Sequence, residues 1–234
     1  MVRIICLLIG YVFGLFQTSY LYGKTKGIDI REHGSGNAGT TNALRTLGKK
    51  AGAITLAGDC IKCILAVLTV RLLFGASHLE MLKLLMVYAA AGTILGHNFP
   101  FYLGFRGGKG IAATAGLIIS FDWRITLVCA ALFFLNLAVT HYVSLGSMMV
   151  YVVFFAMAVI MGQAGCFALE PPYLYEFQHW GRGVCFALAP PYLYEMYVVI
   201  ALLAVLAFWE HRANIKRLIA GTERKTYLSK KSEK

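Results

Sequence analysis

Ser35-Gly36-Asn37-Ala38-Gly39-Thr40-Thr41-Asn42-Ala43-Leu44-Arg45 separates two apolar stretches, roughly residues 3–22 and 52–74. The segment is polar, rich in small residues and edged with cations, and its reading sets the reading of the chain around it. Further apolar stretches follow at about 81–103, 110–121, 124–140, 143–162 and 193–209. Hydrophobic residues make up 59% of the chain, charged residues 14%, and mean hydropathy is +0.67. A soluble domain of this length carries far more charge, so the expected class is all-α: a polytopic integral membrane protein with about seven transmembrane helices. Residues 1–234 read as one domain. The shorter fourth and fifth stretches can also merge or re-enter around Phe121-Asp122-Trp123-Arg124, which would leave five crossings. The first stretch lacks a small-residue cleavage site and reads as a retained helix.

The distribution of charge excludes a nucleic-acid partner despite a net charge of +11. Six cations (Lys24, Lys26, Arg31, Arg45, Lys49, Lys50) lie in the loop at 24–50, and eight follow residue 210. Residues 75–80 carry none, and 163–192 carry only Arg182. Short basic loops stay in the cytoplasm, so an odd number of spans places the N-terminus outside and the 210–234 tail inside a plasma membrane. A second polar island, Gly96-His97-Asn98-Phe99-Pro100 to Gly107-Gly108-Lys109-Gly110, then shares the inner face with the first island and the tail.

Residues 166–176 recur at 185–195 with only Glu170 replaced by Ala189. This duplication, within an outer loop at 164–192, predicts an aromatic hairpin at the bilayer interface. Pro-Pro is expected to interrupt any helix there twice, and the matched Cys166 and Cys185 can form an external disulfide. Cys60-x-x-Cys63 has metal or redox spacing, but no second pair completes a site. Nothing in the sequence demands a metal or another cofactor.

Both islands are suited to an anion. Gly34, Gly36 and Gly39 let the backbone approach a ligand; Ser35, Asn37, Thr40, Thr41 and Asn42 offer neutral hydrogen bonds, and Arg45 a bidentate grip on phosphate. A glycine-rich helix cap is the plainer explanation, but a cap rarely gathers so many donors beside an arginine. At Gly107-Gly108-Lys109-Gly110, successive N–H groups, a helix N-terminus and an ammonium are expected to converge. Gly110 stands where a Walker A loop has its Mg²⁺-binding hydroxyl, which argues against nucleotide hydrolysis. His97 can act as a base or a phosphate donor, or cap a helix end. In the tail, His211 and Asn214 share a helical face, and Glu223 reads as an ion-pair partner. Asp59 and Lys62 lie three apart within the second span, where burial demands a pair or an interior position. A structural role is at least as natural for them as a catalytic one.

These segments resemble the three motifs of the PlsY family of acyl-phosphate:glycerol-3-phosphate acyltransferases: Ser35 to Arg45, Gly96 to Gly110, and His211-Arg212-Ala213-Asn214-Ile215-Lys216-Arg217-Leu218 with Gly221-Thr222-Glu223. The resemblance spans residues 1–163 and 193–225. It implies a seven-helix bacterial membrane enzyme with a cytoplasmic active site that makes lysophosphatidate and phosphate. Carried over by position, Ser35, Arg45, His211 and Asn214 are the activity residues. Gly104, Gly107, Gly108, Lys109 and Gly110 form the glycerol-phosphate loop, and Glu223 is a structural acid. Gly36, Asn37, Thr41, Asn42, His97 and Asn98 complete the expected substrate-binding set, with Asp59 and Lys62 as structural residues. The implied partners are acyl phosphate, glycerol 3-phosphate and membrane lipids. The duplicated loop departs from the family pattern. An organic-phosphate transporter is the alternative, but transporters hold substrate near the midplane on broken helices, whereas these motifs lie in loops on one face.

Overall fold

The computed structural model describes residues 1–167 and 190–227, and these form helices and turns with no strand among them. The elements are α1 (Val2–Gly14), α2 (Thr18–Lys24), α3 (Thr40–Leu47), α4 (Lys49–Phe74), α5 (Leu82–Asn98), α6 (Ile111–Phe121), α7 (Trp123–Thr140), α8 (Val143–Gln163), α9 (Pro190–Glu210) and α10 (Arg212–Ile219). Six segments are long and apolar enough to cross a membrane, the first being Val2–Lys24 taken together. The shorter α6 makes the seventh apolar element. Its 11 residues rise about 16 Å, roughly half of a ~30 Å hydrocarbon core. It still crosses the bundle, packed against α4, α5 and α7: Lys109 before α6 and His141 after α7 both bond to the tail, so the two helices run out and back. The all-helical, seven-element reading therefore holds.

Helices α6 and α7 do not merge. Asp122 is extended between them (φ −163°, ψ 128°), and its carboxylate accepts the Arg124 N–H at the start of α7. That cap satisfies one of the free N–H groups of the new helix.

Helix α5 is the hub, buried along almost its whole length. α1 lies against it through two facing pairs of small residues, Gly10 with Gly14 and Gly92 with Gly96. A Cβ on Gly10 would strike the Ala89 carbonyl, and one on Gly92 the Leu7 carbonyl. With no water to expel between helices in lipid, such close backbone approach is what drives their association. At the far end of this pair Arg3 grips Glu195 of α9 with two bonds of 2.5 and 2.7 Å, and Tyr88 of α5 donates to the same carboxylate. Around α5 the core is closed by Leu117 of α6, Tyr151 and Phe154 of α8, and Met196 and Ile200 of α9.

Two local expectations need correction. The first span is not one continuous helix: it breaks between α1 and α2 at Leu15–Gln17. The second Pro-Pro pair does not interrupt a helix; Pro190 and Pro191 open α9. First-turn N–H groups have no intrahelical acceptor, so proline loses nothing there. Residues 168–189, with most of the duplicated hairpin and any pairing of Cys166 with Cys185, lie outside the described residues.

Candidate active site

The first island is folded around one side chain. Asn42, in the first turn of α3 and 2% exposed, accepts the Ser35 N–H at 2.9 Å and donates to the Ile30, His33 and Asn37 carbonyls at 3.0 Å each. The loop thus wraps its own helix, with Ser35 and Gly36 exposed at its crest. Gly34 has φ +64°, and a Cβ there would strike the Asn42 amide oxygen, so this close wrap requires glycine. Thr41 and Arg45, four apart, share a face of α3. The Asn37 side-chain oxygen and the Thr40 hydroxyl are buried with no hydrogen-bond partner among the described residues.

The second island closes back onto the end of α5. Gly107 N–H donates to the Asn98 carbonyl at 3.1 Å and Gly108 N–H to the His97 carbonyl at 3.0 Å. The expected run of free N–H groups is therefore shorter than the glycine pattern implies, because two of its amides serve the loop itself. Those free to meet a ligand begin at Lys109, Gly110 and the first turn of α6. A Cβ on Gly107 would meet the His97 carbonyl, and one on Gly108 the His97 ring. Gly104 is left-handed (φ +63°) at the end of the turn Phe101–Leu103. Its neighbour Leu103 accepts from Arg31, which also pairs with Asp29. Ala38 N–H donates to the Gly107 carbonyl at 3.2 Å, so the two islands touch directly.

The tail completes the ring. Lys109 Nζ donates to Asn214 Oδ1. Asn214 Nδ2 passes a bond to Glu223 Oε1 at 2.7 Å, and Glu223 also takes Arg217 Nε at 2.7 Å and the Ser144 hydroxyl at 2.9 Å. Arg45 donates to the Thr226 hydroxyl at 2.7 Å and the Arg224 carbonyl at 3.2 Å. Burial by itself would raise the Glu223 carboxyl, but bonds from Asn214, Arg217 and Ser144 outweigh it and hold the group below its ordinary value. Burial, reinforced by Arg217, pushes the Lys109 ammonium down to about 8. Burial and the nearby Lys109 charge push His211 down to about 4. His211 Nδ1 lies 2.7 Å from the Ala207 carbonyl. A carbonyl can only accept, so Nδ1 carries the proton and Nε2 a lone pair.

A buried polar cluster lies beneath the islands. Lys62 Nζ is 2.9 Å from Asp59, 2.7 Å from the Phe16 carbonyl and 2.8 Å from His97 Nδ1. Thr18 also donates to Asp59 at 3.1 Å. Gln17 donates to the Gly14, Gly96 and His97 carbonyls. The α1–α2 break frees carbonyls within the membrane, where non-helical backbone is tolerated only if something satisfies it. Lys62 and Gln17 do so. Ser144, Thr226, Gln17 and Thr18 carry no sequence signal for these roles; polar residues at the edges of apolar stretches are the only hint. Among the described residues no group of three His, Cys, Asp or Glu side chains is placed to hold a metal ion.

Comparison with known proteins places the chain in one family. A family model described as glycerol-3-phosphate acyltransferase matches residues 4–221. The glycerol-3-phosphate acyltransferase of Clostridioides difficile (strain 630) is 40% identical over 224 residues, covering 95% of this chain and 94% of that one. That of Bacillus subtilis (strain 168) is 35% identical over 222 residues, covering 94% and 95%. Among solved structures, PlsY (YgiH), an integral membrane glycerol 3-phosphate acyltransferase in its glycerol 3-phosphate form, superposes with a TM-score of 0.72. It is 25% identical and the match covers 96% of both chains. Its lysophosphatidic acid form gives a TM-score of 0.71 at the same identity, covering 96% and 95%.

Proposed function

The chain belongs to the glycerol-3-phosphate acyltransferase family, and from that premise we propose that it takes its acyl group from an acyl phosphate. The acceptor is the 1-hydroxyl of glycerol 3-phosphate. The hydroxyl oxygen attacks the carbonyl carbon, the carbon–oxygen bond to phosphate breaks, and lysophosphatidate and inorganic phosphate result. This is the first step of bacterial phospholipid synthesis. The observation that carries the reading is the convergence of three remote segments: Arg45 on the tail, Lys109 on Asn214, and Ala38 on the Gly107 carbonyl. Two anionic substrates meeting at one point need such a gathering of cations and neutral donors.

An acyl phosphate is an activated anhydride with a good leaving group, so no enzyme nucleophile is required. Holding hydroxyl and carbonyl in near-attack geometry supplies ~7–11 kcal/mol. Each donor aimed at the tetrahedral oxygen adds roughly 2.7–4 kcal/mol. Ser35, at the exposed crest of its loop, positions the acyl phosphate or its oxyanion. Arg45 and Lys109 hold phosphate charge. His211, held near 4, is a weaker base than a phosphate dianion, whose conjugate acid has a pKa of about 6. The hydroxyl proton therefore passes to a substrate phosphate, while His211 Nε2 and Asn214 orient the hydroxyl. Asn42, Asp59, Lys62 and Glu223 hold the frame. Both islands and the tail face the cytoplasm, the N-terminus lies outside, and residues 1–234 act as one unit.

The test is phosphate release by the purified protein in detergent or lipid, supplied with palmitoyl phosphate and glycerol 3-phosphate. Acceptor-dependent release with lysophosphatidate as product, lost in Arg45→Ala, is expected. Intact glycerol 3-phosphate binding without turnover would replace this reading with a transporter.

A further inference from the structure

His97 is only 2% exposed, yet it is wired so that one ring nitrogen has a defined proton and no protein partner. Its Nδ1 lies 2.8 Å from Lys62 Nζ. The Lys62 ammonium has three N–H groups, and its three short contacts are Asp59, the Phe16 carbonyl and His97 Nδ1. The fourth contact, the Gly14 carbonyl, is longer at 3.3 Å and is already served by Gln17. Lys62, paired with Asp59, is therefore the donor to His97 and Nδ1 the acceptor. A neutral imidazole with an accepting Nδ1 carries its proton on Nε2.

That Nε2–H points at the glycine loop: a Cβ on Gly108 would run into it. No acceptor for it occurs among the described residues. Beside it the Asn98 side chain is 3% exposed, and both its amide oxygen and nitrogen lack a partner. A Cβ on Gly110, at the start of α6, would lie 2.9 Å from that oxygen. Buried polar groups are almost always hydrogen-bonded. An unpartnered Asn98 amide beside a ring N–H that has no acceptor, both facing the N–H groups that open an 11-residue helix, marks a place prepared for an anion's oxygens.

We propose that His97 donates its Nε2–H to a phosphate oxygen held at the start of α6, with Lys62 as the positioning residue that fixes the tautomer. The assignment rests on the proposed acyl transfer for its substrate, but not for its geometry. The two histidines of the site then have opposite polarity. His97 offers a proton from Nε2, whereas His211 offers a lone pair, because each is set by what its Nδ1 meets. Neutral donation suits a crowded cationic site, since it adds grip without adding charge.

The first experiment is ¹⁵N NMR of full-length protein labelled at histidine, with the His97 signals identified by their loss in His97→Gln. Nδ1 should appear as the unprotonated nitrogen and Nε2 as the protonated one, and the Nε2–H signal should shift when inorganic phosphate is added. A proton on Nδ1, or an Nε2–H indifferent to phosphate, would overturn the proposal. The second experiment compares His97→Gln, which puts a donor near the Nε2 position, with His97→Asn, which puts one near Nδ1. The Asn variant should lose about ten- to a hundredfold more kcat/KM than the Gln variant, the range for a hydrogen bond to a charged group. Equal activity in the two would count against the donor role. If neither variant folds, the His97 signals are assigned by substituting the five other histidines one at a time, and the wild-type phosphate shift decides. Absence of acyl transfer by the wild type would remove the proposed reaction and leave the tautomer and the phosphate shift to judge His97 separately.

Discussion

Replacing Asn42 with alanine tests whether the first island is a folded object held by one amide. Asn42 serves four backbone groups, one N–H and three carbonyls, at 2.9–3.0 Å. Its two N–H groups and one oxygen supply three full hydrogen bonds. At ~0.5–1.5 kcal/mol net each, their loss amounts to roughly 1.5–4.5 kcal/mol. Because the residues around Ser35 are exposed, the freed groups regain water and the lower part of the range applies. About 2 kcal/mol of lost loop order reduces the competent population up to ~30-fold. The apolar spans make no use of Asn42, so the melting temperature should fall only slightly. Hydrogen exchange over residues 30–37 and kcat/KM from phosphate release read the two effects separately. The expected result is faster exchange together with an activity loss of up to ~30-fold. Full loss of activity with unchanged exchange would show that Asn42 acts on substrate directly, and the positioning argument would fail.

Other outcomes follow from the same geometry. Lys62→Met strands a buried Asp59 and uncaps the Phe16 carbonyl, so thermal denaturation in detergent should show a loss of about 3–5 kcal/mol. Asp59→Asn should be milder, since it keeps an acceptor and leaves the carbonyl cap in place. Glu223→Gln preserves an acceptor for Ser144 and Asn214 and forfeits the charge and the hydrogen bond facing Arg217, whose side chain is 42% exposed. It should cost about 1 kcal/mol, whereas Glu223→Ala should free the tail to protease and lower turnover much further. The Lys109 ammonium, depressed to about 8, is charged below that pH and neutral above it. The kcat/KM profile, which reports the free enzyme, should therefore fall as pH rises through about 8. Lys109→Arg should remove that alkaline limb; a limb left in place would assign it to another group.

The sequence by itself determined the class of protein and marked the candidate working parts. Runs of apolar residues long enough to cross hydrocarbon leave little choice of environment, and three polar motifs with cations stand out against such a background. These signals are local, each contained within a few dozen residues, so reading along the chain recovers them. Their chemical assignments were less legible. Asn42 looks like one donor among many until its partners at Ile30, His33, Ser35 and Asn37 are known. Gly107 and Gly108 look like a free anion nest until their N–H groups are found on the carbonyls of Asn98 and His97. Lys62 looks like a buried ion-pair partner until the break at Leu15–Gln17 reveals the carbonyl it caps. Only the tertiary structure decided which polar groups are consumed by the scaffold and which remain for a ligand. A hydrogen bond is satisfied by whatever lies about 3 Å away, and here that neighbour is often remote in sequence, as Thr226 is from Arg45.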